Sequence, residues 1–214
     1  MREIFHSELT ELRQTLSYMC QLAAANMRLA TEALLSADLE KANQVLAADV
    51  ELDELRDKCE ERAHQMLALQ APVASDLRLV LSVVYCADKI ERMGDLAEHV
   101  AKTTSKVHPA HVVPAELRDT FAELGAITAS MADGLVQHIA CPRPGSFAEL
   151  DETDRRVDAL HASVLGEITE ATWQHGVPSA TCLALVTRFY ERFADQVVSV
   201  AKRVEFVSTG KLPR

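Results

Sequence analysis

Carboxylate pairs of one kind recur along the 214-residue chain: an acid, three residues, then a second acid. They are Asp49 with Asp53, Glu91 with Asp95, Asp154 with Asp158, and Glu191 with Asp195. Residues four apart on an α-helix lie on one face with Cβ atoms about 5–6 Å apart, so each pair is mutually repulsive unless a cation lies between its charges. Two packed helices carrying such pairs would bring four carboxylates together. Such a group suits a hard cation such as Mg²⁺, Mn²⁺, Ca²⁺ or iron.

The same pairs also fit the solvated face of an amphipathic helix. Glu191 and Asp195 lie nearly opposite the apolar stripe Leu183–Val207 on a helical wheel, where exposed charges are ordinary. Recurrence of the pairs at matched places in two halves of the chain favours cation binding, although a duplication could also preserve a harmless pattern. The residues alone leave both interpretations open.

The two halves differ beside their pairs. Asp88 and His99 bracket the pair Glu91 and Asp95, whereas the corresponding positions in the second half hold Arg188 and Ser199. A guanidinium beside the carboxylates could replace a metal in neutralising them. We therefore expect the first-half site to be the stronger one, with His99 as a possible additional ligand.

Other reactive residues form no catalytic pattern. Glu61 with His64 and Asp158 with His161 are spaced like ligands of di-iron helical bundles, but the further inward-pointing glutamates of such sites cannot be assigned, so we expect surface histidines. The five cysteines are scattered and never form CxxC, which favours reduced thiols, mainly in the core, over disulfides or zinc. The sequence contains no Walker loop, GxGxxG, HExxH or GxSxG motif. We predict that the protein is not an enzyme.

The elements that carry the carboxylates are predicted to be six long, antiparallel α-helices. Residues 1–71 contain neither glycine nor proline, and later breakers are few and regularly spaced. Between them, apolar residues recur every three or four positions, the pattern of bundled helices. Ser36 or Asp38 could cap the second helix, the fourth is expected to begin at Pro114, and Ser146 with Glu149 reads as a capping box for the fifth. The predicted fold class is all-α.

The chain also resembles itself. Residues 91–102 read ERMGDLAEHVAK and residues 191–202 read ERFADQVVSVAK, and the pair Asp49 and Asp53 has its counterpart in Asp154 and Asp158. The repeat predicts two tandem three-helix bundles, residues 1–108 and residues 109–214.

Charge and composition narrow the function classes. The net charge of −10 leaves no basic excess for nucleic-acid binding. The charged residues near the start do not fit a signal peptide, and no stretch approaches the length of a membrane span. These features predict a soluble, cytoplasmic protein.

The chain resembles the PhoU family of bacterial phosphate-signalling and phosphate-transport accessory proteins. The features that carry the resemblance are the tandem units, the paired acids, Ser75-Asp76-Leu77-Arg78 at the start of the third helix, and the ERMGD and ERFAD segments. The resemblance runs over essentially the whole chain. It implies a negative regulator of phosphate uptake and of the phosphate-starvation response, rather than an enzyme. It also implies an adaptor that bridges a phosphate ABC transporter, especially its ATPase subunit, and a membrane sensor histidine kinase.

The resemblance further implies a bound divalent or trivalent metal cation: iron, zinc, magnesium or manganese. Carried over position by position, the ligands would be Asp49, Asp53, Glu91, Asp95, Asp154, Asp158, Glu191 and Asp195, with His99 as an extra candidate. The protein would be peripheral to the membrane through its partners, with a homodimer possible. Two alternatives stay open: a carboxylate-bridged di-metal enzyme, and a helical interaction protein without metal.

Overall fold

The computed structural model describes residues 2–143 and 145–213, with side chains from Phe5 onward. This part of the chain is built from six long helices and contains no strand, which confirms the all-α prediction. A 3₁₀ turn, Ala115–Leu117, precedes the fourth helix. The helices are α1 (Arg2–Ser36), α2 (Leu39–Gln70), α3 (Ser75–Val107), α4 (Arg118–Ala140), α5 (Ser146–Thr169) and α6 (Gly176–Thr209).

Four of the helices form a central bundle. α1 packs on α3 and α4, and α6 packs on α3 and α4, while α2 covers α1 and α3 and α5 covers α4 and α6. α3 and α6 are antiparallel, because Tyr85 meets Arg203 and His99 meets Phe189. The buried apolar residues form one continuous core that includes residues of all six helices.

The internal repeat of the sequence is matched by a repeat in the burial of its residues. Residues 86–101 of α3 and residues 186–201 of α6 follow the same sequence of buried, half-buried and exposed positions throughout. Helices α1–α3 fall within residues 1–108 and α4–α6 within residues 109–214. Because one core joins them, the division of the chain into two domains stays a prediction.

Helix ends test the capping predictions. Asp38 caps α2, since its Oδ1 accepts the backbone N–H of Lys41 at 3.1 Å. The prediction of a capping box at α5 is wrong. Gly145, at φ +87°, is the residue that precedes the helix, and the Ser146 hydroxyl donates to the carbonyl of Arg143 instead of capping the helix. Glu149 is instead bound by the guanidinium of Arg143. α4 itself begins at Arg118, because the residues after Pro114 first make the 3₁₀ turn.

No helix of the described residues is both long enough and apolar enough to cross a bilayer.

Candidate metal centres

The acid pairs of the first half face each other across the contact between α2 and α3. The charges of Asp53 on α2 and Asp95 on α3 both act on Glu91, and Asp49 on α2 is influenced by Asp95 and Glu98 on α3. The helices can approach because α3 carries Gly94 opposite α2: a Cβ added there would stand 2.9 Å from Asp49 Oδ1. The four first-half carboxylates identified from the sequence therefore belong to one electrostatic cluster.

Burial and mutual repulsion raise the pKa of these acids. Partial burial, followed by the charges of Glu98, Asp95 and Asp53, raises the pKa of Asp49 to about 6. Burial, followed by Asp95, raises the pKa of Glu91 to about 7, although Arg56 opposes the shift. Near neutral pH the cluster therefore holds protons that a bound cation would displace.

Arginine and lysine side chains already contact the first cluster. The guanidinium of Arg92 donates to Asp95, Lys102 pairs with Glu98, and Arg56 Nη2 lies 3.9 Å from Glu91 Oε1. Sequence reasoning missed Arg56 and Glu98. Their spacing could have indicated both, because Arg56 follows Asp53 by three positions and Glu98 follows Asp95 by three. Residues three apart on a helix lie on the same face.

In the described structure, neither of the two residues expected to strengthen the first half is bonded to a carboxylate of the cluster, although the charge of Asp88 helps to raise the pKa of Glu91. Asp88 is exposed and pairs with Lys89 at 3.2 Å. The His99 ring packs against Phe189 of α6, and its Nδ1 bonds to the backbone carbonyl of Asp95. The expectation that the first-half site is the stronger one stays a prediction.

The second half repeats the cluster between α5 and α6. Burial, followed by the charges of Asp158 and Asp195, raises the pKa of Asp154 to about 7. Burial likewise raises the pKa of Glu191 and of Asp195, and the charge of Asp158 adds to both shifts. All four predicted second-half acids again lie within one electrostatic cluster.

Two carboxylate oxygens of this second cluster are buried without a hydrogen-bond partner: Asp154 Oδ1 and Glu191 Oε2. The other oxygen of Glu191 accepts from Arg188, so the predicted arginine does neutralise part of the site. A buried carboxylate oxygen without a partner is unfavourable, and a cation would satisfy it. The oxygen-only donor set fits a hard metal ion.

The described side chains are not arranged as a closed site. Among them, no three aspartate, glutamate, histidine or cysteine groups surround a common point that could hold a metal ion. The acid-x-x-His steps add no ligand either: His64 is exposed, and Nδ1 of the half-buried His161 lies 3.3 Å from Thr187 Oγ1. A cation would therefore require the carboxylates to turn toward each other, which their half-exposed positions permit.

Both halves of the chain match a known protein family. The family model for the PhoU domain matches residues 16–104 and residues 121–204, one match in each half of the chain. A relative from Mycobacterium leprae, named phosphate-specific transport system accessory protein PhoU homolog 1, is 43% identical over 213 residues, covering 100% of this chain and 96% of the relative.

A second relative, from Mycobacterium tuberculosis strain H37Rv, bears the same name with homolog 2 and is 41% identical over 213 residues, covering both chains fully. The crystal structure of the phosphate transport system regulatory protein PhoU from Streptococcus pneumoniae superposes with a TM-score of 0.88 at 26% identity, covering 98% of this chain and 99% of that one. These relatives are named as accessory or regulatory proteins, not as enzymes. Two matched domains, one per half, and identity above 40% along the full length show that this chain belongs to the PhoU family.

Proposed function

We propose that this protein is a cytoplasmic regulator of phosphate transport. It acts as an adaptor between a phosphate ABC transporter, which it contacts through the ATPase subunit, and a sensor histidine kinase. It represses phosphate uptake and the starvation response when phosphate is plentiful. The observation that carries the proposal is full-length similarity to relatives named as accessory proteins of the phosphate-specific transport system.

The two carboxylate clusters would hold the regulatory cations. Asp49, Asp53, Glu91 and Asp95 would supply oxygens in the first half, and Asp154, Asp158, Glu191 and Asp195 in the second. The unpartnered Asp154 Oδ1 and Glu191 Oε2 support cation binding at the second cluster. His99 would be a possible additional ligand of the first cluster through Nε2, since its Nδ1 bonds to the backbone carbonyl of Asp95.

Cation binding would change the surface that a partner meets. A cation between α5 and α6 would draw Asp154 and Glu191 together, displace the proton that Asp154 holds near neutral pH, and cancel negative charge on that face. Iron, zinc, magnesium and manganese all remain candidates for the ion. The adaptor surface would then differ between the loaded and the unloaded protein.

Metal analysis of purified variants tests the cation sites. We expect the double substitution Asp154→Asn and Glu191→Gln to lower the bound metal per chain, since it removes two negative charges and replaces one oxygen of each residue with NH₂ at nearly constant side-chain size. The control is Glu152→Gln on the same helix, an exposed residue that pairs with Arg155. Equal metal content in the wild type, the double variant and the control would contradict the site.

Affinity capture tests the adaptor role. The wild type should retain a transporter ATPase subunit and a histidine kinase from cells grown with high phosphate, and retain less of them from cells grown with low phosphate. The double variant should capture less of both than the Glu152→Gln control. Capture of neither protein under either condition would refute the adaptor.

A further inference from the structure

Cations without a salt-bridge partner collect at one end of this acidic protein. Eight of the lysines and arginines that the structure describes form no salt bridge. Five of the eight lie where α3 begins and α6 ends: Arg13, Arg78, Lys202, Arg203 and Lys211. These five residues concentrate positive charge at one end of a chain that has 32 acidic and 22 basic residues.

Aromatic rings fix two of these guanidiniums in place. The Cζ of Arg78 lies 5.5 Å from the centre of the Phe206 ring, and the Cζ of Arg203 lies 5.7 Å from the same ring and 4.1 Å from that of Tyr85. The Nε of Arg78 is buried without an acceptor. Stacked guanidiniums lose little freedom when they bind an oxyanion, and they present their N–H groups as a planar fork.

The same end exposes apolar side chains. Leu69 at the end of α2 is 82% exposed, and Val73 in the turn before α3 is 74% exposed. Leu77 and Leu81 follow on the first turns of α3, and Leu212 follows α6 beside Lys211. Arg78 links these segments, since its Nη1 lies 3.3 Å from where a Cβ on Gly210 would stand. Five of the ten exposed large apolar residues described in the chain are thus at this end.

We propose that this basic end, defined by Arg78, Arg203, Lys211 and the five exposed apolar residues, binds directly to a membrane surface that contains anionic lipids. Basic side chains near such a surface are attracted to lipid phosphates, and apolar side chains beside them enter the headgroup boundary. Leu69 and Val73 are largely exposed at the turn between α2 and α3. Highly exposed apolar side chains beside basic ones fit insertion into the headgroup boundary of an anionic membrane.

Carboxylates also lie near this end, and two of the described ones accept hydrogen bonds. Glu205 accepts the backbone N–H of Phe147, Glu8 accepts from Gln70, and Asp76 lies in the first turn of α3. The acidic clusters are built by the middle turns of α3 and α6 against α2 and α5, away from the end where Arg78 meets Gly210. The proposal does not depend on cation binding there.

Vesicle sedimentation of the full chain tests the proposal. EDTA is present throughout, so that no metal ion can bridge carboxylates to lipids. We expect the wild type to bind vesicles of phosphatidylcholine with phosphatidylglycerol, to ignore vesicles of phosphatidylcholine alone, and to dissociate as salt increases. The double variant Leu69→Gln with Val73→Gln should bind about tenfold more weakly, because two apolar side chains no longer enter the interface.

A second variant and two controls complete the design. Arg78→Gln with Arg203→Gln should weaken binding at least about fivefold, with helix content checked by circular dichroism. Val177→Gln changes a residue that is 78% exposed in the first turn of α6, and Arg118→Gln removes another guanidinium without a salt bridge in the described chain. Both controls should bind like the wild type. A wild type that ignores anionic vesicles, or controls that lose as much binding as the variants, would overturn the proposal; an acidic protein segment would then be the occupant to test.

Discussion

Asp49 of α2 packs directly against Gly94 of α3: a Cβ added to Gly94 would stand 2.9 Å from Asp49 Oδ1 and 2.5 Å from Leu52 Cδ1. Both distances are shorter than a normal contact with a Cβ atom. The counterpart of Gly94 in the second half is Ala194, which is fully buried, so α6 accommodates a methyl group where α3 does not. The two otherwise similar clusters therefore differ in how closely their helices approach.

Gly94→Ala should destabilise the protein even though alanine is the better helix former. The added methyl group would force the side chains of Leu52 and Asp49 to shift, and Leu52 is fully buried, so we expect the free energy of unfolding to fall by about 1–3 kcal/mol, as for overpacking elsewhere. Urea unfolding measures the change. Gly166→Ala is the control, because nothing lies near its Cβ position in α5, and it should raise stability by about 0.5–1 kcal/mol. A stabilising Gly94→Ala would show that the helices are not closely packed there.

The metal-free protein should lose stability as pH rises. The pKa of Asp154 is raised from its ordinary 3.8 to about 7, so between these values the folded chain binds more protons than the unfolded chain. Its contribution to folding is therefore greatest at low pH and falls as pH rises through about 7. We expect Asp154→Asn, which has no charge to gain, to reduce this fall by on the order of 1 kcal/mol, after solvent screening of a half-exposed group is allowed for.

Urea titrations in EDTA from about pH 5 to pH 8 measure the effect, with Glu152→Gln as the unaffected control. Adding a divalent cation should restore stability at the alkaline end in the wild type more than in Asp154→Asn, because the ion favours the charged carboxylate. Identical pH profiles for the wild type and Asp154→Asn would show that this group is ionised throughout.

The cysteines should react in two groups. Cys20, Cys59 and Cys86 are buried, and burial raises the pKa of Cys59 to about 11 and that of Cys86 to about 12, so neither supplies much thiolate in the folded state. Cys141 is exposed. We expect a thiol reagent to label Cys141 first, and Cys141→Ser to remove the fast phase. Rapid labelling of Cys20 without denaturant would contradict the packed core.

Local patterns predicted much of this molecule. Breaker spacing and three-four periodicity located the six helices, and Asp38, one of the two cap candidates with Ser36, is the residue that caps α2. The carboxylate pairs could be expected to face each other, because the spacing of four fixes a helix face and the repeat pairs the faces.

Side-chain competition and distant contacts could not be predicted. Ser146 does not cap α5, because its hydroxyl donates to the carbonyl of Arg143. The ring of His99 packs against Phe189, which lies ninety positions away in the sequence. The basic end of the molecule could not be predicted from the sequence either, because its residues are far apart along the chain. Arg78 and Arg203 become neighbours only when α3 and α6 pack.

The single core shared by both repeats bears on how the protein is made. Tyr190 of α6 is fully buried and bonds to Thr31 of α1 at 2.9 Å, across 159 positions. During synthesis, α1 and α3 leave the ribosome before α4 and α6 are made. Part of the apolar surface of the first half therefore has no packing partner until the second half has been synthesised. Each repeat therefore buries part of its apolar surface only against the other repeat.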